Sequence, residues 1–281
     1  MRQAPFRFGI MAPAQGDIDA WLSGARRAEA LGYSTLLSAD RPDAVEPLTA
    51  LATVAAATSL RVATFVLSAP LRPARSAAWQ GHSLSLLTGG RFDFGIGAGL
   101  PRHEQSAREF GLPFGSPRER LAAVGEAIDR LRELDEGRVD ASGAVRYTPV
   151  LVAAGGPRSR ALAAAKADIV TLGFPPLASR DEVAELVADV ARHEADRADG
   201  IELAMNIFVV GQAVPSWVEG FIGATAAQLV AADSLVMLRG NVDQMCDELQ
   251  RRRERFGASY IVVNSTFAEQ FAPVVQRLTG R

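Results

Sequence analysis

Two carboxylates are the polar side chains best placed to do chemistry. Asp40 and Glu104 each lie where a loop begins after a predicted strand. A carboxylate at such a position can meet a cofactor or a substrate and can accept or move a proton. A solvated helix cap or an ion pair is the alternative interpretation for each of them.

Two adjacent glycines, Gly155 and Gly156, mark a candidate phosphate site. They are followed by Pro157, which suits the first turn of a helix. Free backbone N–H groups and the helix dipole favour an anion there, and the missing side chains let it approach closely. A tight turn before a helix explains the same residues equally well, so both interpretations stand.

Three glycines at alternating positions form a second glycine-rich pattern. Gly95, Gly97 and Gly99 would share one face of a strand and leave its backbone bare for something broad and flat. The alternative is close packing in a tapering barrel core. The spacing is not the dinucleotide-binding fingerprint, because the following helix and the acidic partner of that motif are missing.

Composition argues against several other kinds of chemistry. The net charge of −2 disfavours nucleic-acid binding, and the cytoplasm is the default location. No apolar stretch reaches the roughly 18 residues of a membrane helix. The single cysteine, Cys246, rules out an internal disulfide, and the three histidines lack metal-ligand spacing, so no metal site is predicted. The only lysine, Lys166, lies in a predicted helix, which disfavours a Schiff base. The Gly-x-Ser-x-Gly motif of α/β-hydrolases is absent.

Predicted strands and helices alternate along the chain and would position these residues. Most strand segments are continuous apolar runs, which are typical of parallel strands covered on both faces. The predicted strands are 6–11, 33–38, 60–67, 92–98, 150–154, 168–174, 202–210 and 259–264. The predicted helices are 17–31, 47–59, 74–87, 117–136, 157–167, 179–199, 216–232 and 243–256, with one more at 268–278.

This alternation favours an α/β fold of the (β/α)8 TIM-barrel type over an open doubly wound sheet. Active sites of such barrels lie on the loops at the carboxyl ends of the strands, where Asp40, Glu104 and both glycine patterns fall. Since neither a linker nor a repeat divides the chain, we expect a single domain over 1–281. The polar stretch 137–148 is interpreted as an exposed hairpin or loop.

Several stretches, taken together, point to one family. They are AEALGY (28–33), SAD (38–40), AAATSLRVAT (55–64), APLR (69–72), LTGGRF (87–92), GIGAG (95–99), FGLPF (110–114), the loop 149–158 and RERFGASYI (253–261). On these residues the sequence resembles the bacterial luciferase-like oxidoreductases, and within them the branch that uses the deazaflavin coenzyme F420. The similarity runs nearly end to end.

The resemblance implies a luciferase-like barrel that holds a flavin or deazaflavin ring at its C-terminal mouth. Asp40 matches an acidic residue that lies near the ring in the family, and Glu104 matches a glutamate that serves as an acid in some deazaflavin members. A cis peptide bond not involving proline, expected in the third strand, matches Phe65–Val66.

Two positions depart from the family. Arg41 stands where many members have histidine, so a histidine-based acid–base scheme is in doubt and Arg41 is free to pair with an anion. Leu100 stands where many have tryptophan. The resemblance thus suggests Glu104, Asp40 and Arg41 as catalytic residues. The residues it implies for cofactor binding are Asp40, Thr64, Phe65, Val66, Gly97, Gly99, Ala154, Gly155, Gly156, Leu172 and Gly173.

Three functions follow from this resemblance. In the first, reduced F420 transfers a hydride from its C5 to an activated C=C or C=N bond of a small-molecule substrate. The second is an FMN-dependent monooxygenase, whose reduced flavin reacts with oxygen. The third is a non-catalytic flavin-binding protein, which the departures at Arg41 and Leu100 favour. The family also implies a homodimer, with no membrane or nucleic-acid partner.

Overall fold

The computed structural model describes residues 4–139, 145–194 and 200–281. Strands and helices alternate along these residues. The strands are β1 (Arg7–Met11), β2 (Thr35–Ser38), β3 (Arg61–Thr64), β4 (Leu67–Ser68), β5 (Phe92–Gly97), β6 (Val150–Ala154), β7 (Ile169–Leu172), β8 (Glu202–Ile207), β9 (Val209–Val210), β10 (Met237–Leu238) and β11 (Ala258–Asn264). The helices are α1 (Ile18–Ala30), α2 (Pro47–Ala57), α3 (Ala74–Leu87), α4 (His103–Glu109), α5 (Pro117–Asp135), α6 (Pro157–Lys166), α7 (Arg180–Glu194), α8 (Ser216–Ile222), α9 (Ala226–Ala231), α10 (Val242–Phe256) and α11 (Ala268–Leu278).

The main sheet closes into a parallel barrel. Its strands follow the order β3-β2-β1-β11-β8-β7-β6-β5, and pairing of β3 with β5 completes the ring. The short strand β4 continues the line of β3 and pairs with the end of β5, while β9 and β10 form a separate parallel pair. This architecture confirms the predicted (β/α)8 barrel.

The apolar runs of the strands are buried on both faces. One face packs on the surrounding helices in the large core cluster, for example through Phe92, Phe94 and Ile96 of β5. The alternate face fills the barrel interior with a smaller cluster. That cluster consists of Leu37, Ala63, Leu151, Ile169, Ala204, Tyr260 and Val262. Burial on both sides explains why these strands show no polar alternation.

The structure differs from the predicted elements in several places, and the predicted strand 202–210 is divided into β8 and β9, which lie in different sheets. The predicted strand 60–67 is interrupted between β3 and β4, where the chain bulges. The predicted helix 216–232 is broken at Gly223, which adopts a left-handed conformation (φ 69°) between α8 and α9. The short helix α4 and the strand β10 were not predicted, because neither is long enough to show a period.

Two predicted segments lie partly outside the described residues. These are 195–199, at the end of the predicted helix 179–199, and 140–144, inside the predicted hairpin or loop 137–148. Val139 and Val145 pair as an isolated antiparallel bridge beside that second stretch. None of the helices within the described ranges is long and apolar enough to cross a membrane.

Candidate active site

The floor of the barrel's C-terminal mouth is apolar and partly open. Met11, Phe65 and Val66 pack on the interior cluster and keep part of their surface exposed. Phe65 and Val66 are joined by a cis peptide bond, as the resemblance implied. Together the three side chains form an uncharged surface at the carboxyl ends of β1 and β3.

Asp40 is nearly buried at the mouth and is held on both carboxylate oxygens. It accepts a hydrogen bond from the backbone N–H of Ser68 at 2.9 Å. The guanidinium of Arg72 donates to Oδ2 at 2.7 Å and to Oδ1 at 3.1 Å. The strands position this triple contact, since Asp40 follows β2 and Ser68 ends β4. Because three donors occupy the carboxylate, its first role is to fix Arg72 and the end of β4.

The other two predicted catalytic residues lie apart from Asp40. Arg41 is ion-paired with Asp43, and both side chains are exposed. Glu104 is half-exposed on the first turn of α4 and pairs with Arg108, one turn later, at 2.5 Å. Within the described residues no hydrogen bond or ion pair joins Asp40 to Arg41 or Glu104. The structure therefore does not gather the three into one cluster, and their catalytic roles stay predictions.

A histidine that the sequence reasoning did not assign lies beside Asp40. His103 begins α4, and its Nδ1 is 2.7 Å from the Oγ of Ser68. Burial and the neighbouring Arg102 lower the pKa of His103, and Asp40 partly opposes them. The sequence signal available was a histidine in a loop at the carboxyl end of a strand. Its contact with Ser68, 35 positions away, could not be read from the sequence.

The loops after β6 and β7 lie against each other at their glycines. The Gly173 N–H donates to the Ala154 carbonyl at 3.0 Å, and a Cβ placed on Gly173 would lie 3.5 Å from the Cα of Gly155. Gly156 is the N-cap of α6, and a Cβ added to it would meet open space. The first turn of α6 has no acidic side chain. Gly155, Gly156 and Gly173 are exposed and Leu172 is half-buried, so these four residues form one open surface at a helix N-terminus, where an anion is favoured. Ala154 is buried in the core behind them, and its predicted contact with a cofactor stays a prediction.

The alternating glycines of β5 are covered by protein. A Cβ on Gly95 would lie 1.8 Å from the carbonyl oxygen of Thr64. At Gly97 the nearest atom is Cγ2 of Val66, at 3.1 Å, and at Gly99 it is Oγ of Ser68, at 2.6 Å. The expectation of a bare face along all three glycines is therefore wrong, and close packing explains Gly95 and Gly99. Contact between a cofactor and Gly97 or Gly99 stays a prediction.

The side chain of Thr64 is occupied by the same strand. It is fully buried, and its hydroxyl exchanges hydrogen bonds of 2.8 Å with the carbonyl and the N–H of Gly95. Thr64 thus joins β3 to β5 through its side chain. Thr64 therefore has no exposed side-chain atom that could make its predicted contact with a cofactor.

An unpaired polar atom lies near the carboxyl end of β8. Asn206 lies two residues after Ala204 in β8, so both side chains lie on the interior face of the barrel. The Oδ1 of Asn206 is buried and has no hydrogen-bond partner among the described residues. A buried unpaired acceptor is costly unless something else satisfies it. The signal in the sequence was an asparagine inside an otherwise apolar strand. It is a candidate for binding a donor on a ligand.

Two clefts lie away from the mouth. One, of about 770 Å³, lies between α7, α9 and α10, and there Arg180 pairs with Asp233 and Glu248 at 2.7 Å each. Another, of about 530 Å³, lies at the amino ends of the strands, where Arg7 pairs with Glu202 at 2.8 Å. The charges of both clefts are engaged in ion pairs. In barrels of this type the amino end serves stability rather than chemistry.

One protein family matches most of the chain by sequence. A family model described as luciferase-like monooxygenase matches residues 3–216. No curated protein sequence matches the chain. The family match covers the mouth from Asp40 to Asn206.

Three solved structures share the fold at low sequence identity. The coenzyme F420 dependent tetrahydromethanopterin reductase from Methanopyrus kandleri is 16% identical, with a TM-score of 0.72 over 98% of this chain and 99% of that chain. An F420-dependent secondary alcohol dehydrogenase in complex with an F420–acetone adduct is 17% identical, with a TM-score of 0.72 over 98% of both chains. A riboflavin lyase with modified FMN and riboflavin is 16% identical, with a TM-score of 0.70 over 97% of this chain and 92% of that one.

Proposed function

Because the chain belongs to the luciferase-like monooxygenase family, we propose that it is an F420-dependent oxidoreductase. In the proposed reaction a small molecule with an activated C=C or C=N bond is reduced. Two structures of the same fold are named as F420-dependent enzymes, which supports this choice of coenzyme. The proposal includes the small-molecule substrate, whose identity the mouth does not specify.

The observation that carries the proposal is the pairing of an apolar floor with an anion site in one mouth. Met11, Phe65 and Val66 offer a surface against which a planar ring can pack. The turn at Gly155 and Gly156 leads into α6, where no side-chain cap occupies the N–H groups of Arg158 and Ser159, which can face a phosphate; the Gly156 N–H itself donates to Ser159 Oγ at 3.0 Å. A phosphate-bearing flavin or deazaflavin needs both features, so the residues present fit such a group.

Two further groups of this chain would take part in binding. The unpaired Oδ1 of Asn206 can accept a hydrogen bond from a ring N–H. Arg158 is exposed on the first turn of α6, where its charge adds to the attraction for a phosphate. When bound, reduced F420 supplies a hydride from C5 of its ring. The role of the chain is to hold the substrate against that ring and to limit the access of water.

Glu104 and Arg41 would act from the rim. Glu104 is half-exposed and is tied to Arg108, so it would have to leave that ion pair to deliver a proton. Arg41 would have to leave Asp43 to meet an anionic substrate. Exposed ion pairs of this kind are worth about 0–1 kcal/mol, so neither exchange is costly.

An FMN-dependent monooxygenase is the second candidate. The riboflavin lyase, which carries a modified FMN, has the same fold over nearly the whole chain. The apolar floor and the diglycine turn would serve FMN equally well, because both coenzymes combine a tricyclic ring with a phosphate. The choice between the two must therefore come from direct binding.

A titration with each coenzyme tests the proposal. Reduced and oxidised F420, and separately FMN, are added to purified protein, and binding is followed by quenching of coenzyme fluorescence. We expect saturable binding of F420 with a lower dissociation constant than that of FMN. Tighter binding of FMN, followed by oxygen consumption, would favour the monooxygenase. Binding without turnover across unsaturated substrates would favour a non-catalytic protein.

Substitutions at Gly156 test the anion site. Gly156→Asp places a carboxylate where the phosphate would lie, so affinity for the preferred coenzyme should fall about tenfold or more, which is about 1.4 kcal/mol. Aspartate is a good N-cap residue and its Cβ meets open space, so the fold should keep its stability. Gly156→Asn, which has the same shape without the charge, should lose much less affinity. Equal dissociation constants for all three proteins would place the phosphate elsewhere.

A further inference from the structure

The geometry around His103 favours one of its two ring nitrogens as the site of the proton. The backbone N–H of Leu100 donates to Nδ1 of His103 at 3.3 Å. Because a backbone N–H can only donate, this long contact favours the tautomer in which Nδ1 is unprotonated, and the contact with Ser68 Oγ is compatible with it. The Ser68 hydroxyl, 2.7 Å away, then donates to the same nitrogen. In the neutral ring the remaining proton is on Nε2.

The contacts behind His103 hold this arrangement in place. The N–H of Ser68 donates to Asp40, which is locked by Arg72, so the hydroxyl of Ser68 is anchored by the strand end. Gly99 allows the turn to pass over Ser68. It has a positive φ of 74°, and a Cβ there would lie 2.6 Å from Oγ of Ser68. The orientation of the imidazole is thus built into two neighbouring loops.

Burial and the charge of Arg102 keep the His103 ring neutral near pH 7. Burial is the largest cause of the lowered pKa of His103, and Arg102, its neighbour in sequence, adds to it. Asp40 acts in the opposite direction, but its charge is already paired with Arg72. Protonation would put a hydrogen on Nδ1, facing the N–H of Leu100. The hydrogen-bond geometry and the lowered pKa therefore both favour the neutral ring.

We propose that His103 is a neutral hydrogen-bond donor to the substrate, acting through its Nε2–H. This nitrogen has no hydrogen-bond partner among the described residues, and the ring lies at the rim of the mouth. The inference rests on the proposed function. It also narrows the substrate class to compounds that carry an acceptor atom on the activated bond, namely a carbonyl conjugated to C=C or an imine.

The chemistry of such a substrate explains the need for a donor. When a hydride from the reduced coenzyme adds to the far carbon of a C=C–C=O group, the displaced electron pairs shift and leave negative charge on the carbonyl oxygen. A proton from water then completes the carbon next to the carbonyl. A hydrogen bond from Nε2–H to that oxygen strengthens as charge develops, so it lowers the barrier. A neutral imidazole does this without giving up its proton.

Two substitutions separate this role from a structural one. His103→Asn keeps an acceptor near the position of Nδ1 but lacks the Nε2–H donor. His103→Gln keeps an N–H donor near the position of Nε2 but lacks the acceptor for Ser68 and Leu100. With cyclohex-2-enone as the probe, a donor role predicts kcat/KM at least about tenfold lower in His103→Asn than in His103→Gln. A purely structural role predicts the reverse order, which would overturn the proposal.

A second measurement does not depend on the coenzyme. Nitrogen-15 NMR of the free protein, with the His103→Gln variant used for assignment, should show His103 as the Nε2–H form at pH 7.5. An Nδ1–H form would overturn the proposal. If the protein shows the Nε2–H form but binds neither F420 nor FMN, the proposed function is overturned and so is the role of His103 towards a substrate. The assignment of the tautomer would still stand.

The pH dependence has a defined sign. Because the pKa of His103 in the folded protein lies below its ordinary value of 6.5, the neutral donor persists to pH values below 6.5. Activity that depends on it should therefore fall to half only at a pH below 6.5, which is more acidic than for an unperturbed histidine. The fall should be weaker in His103→Gln, and an unchanged profile would contradict the assignment.

Discussion

The carboxylate of Asp40 illustrates how burial changes the role of a predicted catalytic residue. Its side chain and that of Arg72 are only 6% and 12% exposed, whereas the neighbouring pair of Arg41 and Asp43 is 48% and 67% exposed. A buried charge that loses its partner keeps its desolvation penalty, but an exposed one is rehydrated. The two adjacent ion pairs should therefore differ strongly in their contribution to stability.

We expect Arg72→Met to lower the free energy of unfolding by about 3–5 kcal/mol, because it leaves Asp40 buried without a counter-charge. Arg41→Met, one loop position away from Asp40, should change it by about 0–1 kcal/mol. Urea unfolding followed by circular dichroism measures both. Adding Asp40→Asn to Arg72→Met should restore part of the loss, since the unpaired charge is then removed. Strict additivity of the two substitutions would show that the pair does not interact.

At the scale of elements, the break between β3 and β4 shapes the mouth. β3 pairs with the start of β5, through Val62 and Phe92, and β4 pairs with its end, through Ser68 and Gly97. Between the two, the Thr64 carbonyl turns towards Gly95 and takes the space of a side chain. The bulge places Phe65 and Val66 in the mouth. Because the bulge needs the space that a side chain at position 95 would take, Gly95 supports the apolar floor of the candidate site.

Gly95→Ala tests this dependence. The added Cβ would lie 1.8 Å from the carbonyl oxygen of Thr64, and backbone cannot move aside as a flexible side chain can. We expect a loss of about 3 kcal/mol or more in the free energy of unfolding, at or above the upper end for overpacking. Gly24→Ala is the matched control, because its Cβ meets open space and alanine favours the interior of α1, so it should not lower the free energy of unfolding. Thermal and urea unfolding compare the two, and equal stability would mean that β5 can shift away from the bulge.

The same region shows what the sequence can and cannot predict. Continuous apolar runs located the barrel strands, with the observed bounds at Val150–Ala154, because burial on both faces leaves a plain pattern, but they ran past the ends of β3, β7 and β8. The glycine alternation left two interpretations open, a bare face for a ligand and close packing, and at Gly95 the carbonyl of Thr64 fills the space. Sequence spacing gives the face on which a residue lies, and it does not give the distance to the next strand.

The side-chain network of the mouth was predicted only in part. Asp40 was singled out from its position after a predicted strand, and Gly155 and Gly173 were grouped only by the family resemblance, while their contact with each other comes from the structure. Arg72 and His103 were not assigned, because their contacts link loops 28–35 positions apart through side-chain directions that a sequence does not encode. Glu104, one residue after His103, faces Arg108 instead.

At the scale of the whole molecule, an apolar helix face is left without a partner within the described residues. On α3, Trp79, Leu86 and Leu87 are 66%, 52% and 83% exposed. Trp79 and Leu86 lie seven positions apart, which places them on one side of the helix. Large exposed apolar side chains on one face are typical of protein–protein contacts. We propose that a second copy of this chain covers them, in line with the homodimer that the resemblance implied.

A charge on this face should separate the copies. In a twofold-symmetric dimer the same patch is used by both subunits, so Leu87→Glu places two carboxylates in one interface and leaves them there without partners. We expect the wild-type protein to sediment as a dimer at micromolar concentrations and the variant as a monomer that keeps its fold by circular dichroism. Leu177→Glu, at an apolar side chain that is 42% exposed after β7, is the control and should leave the dimer intact. A wild-type protein that sediments as a monomer would show that no second copy covers α3. A Leu87→Glu variant that stays dimeric would show that the contact between copies lies elsewhere, because two like charges buried in one interface without partners are strongly destabilising.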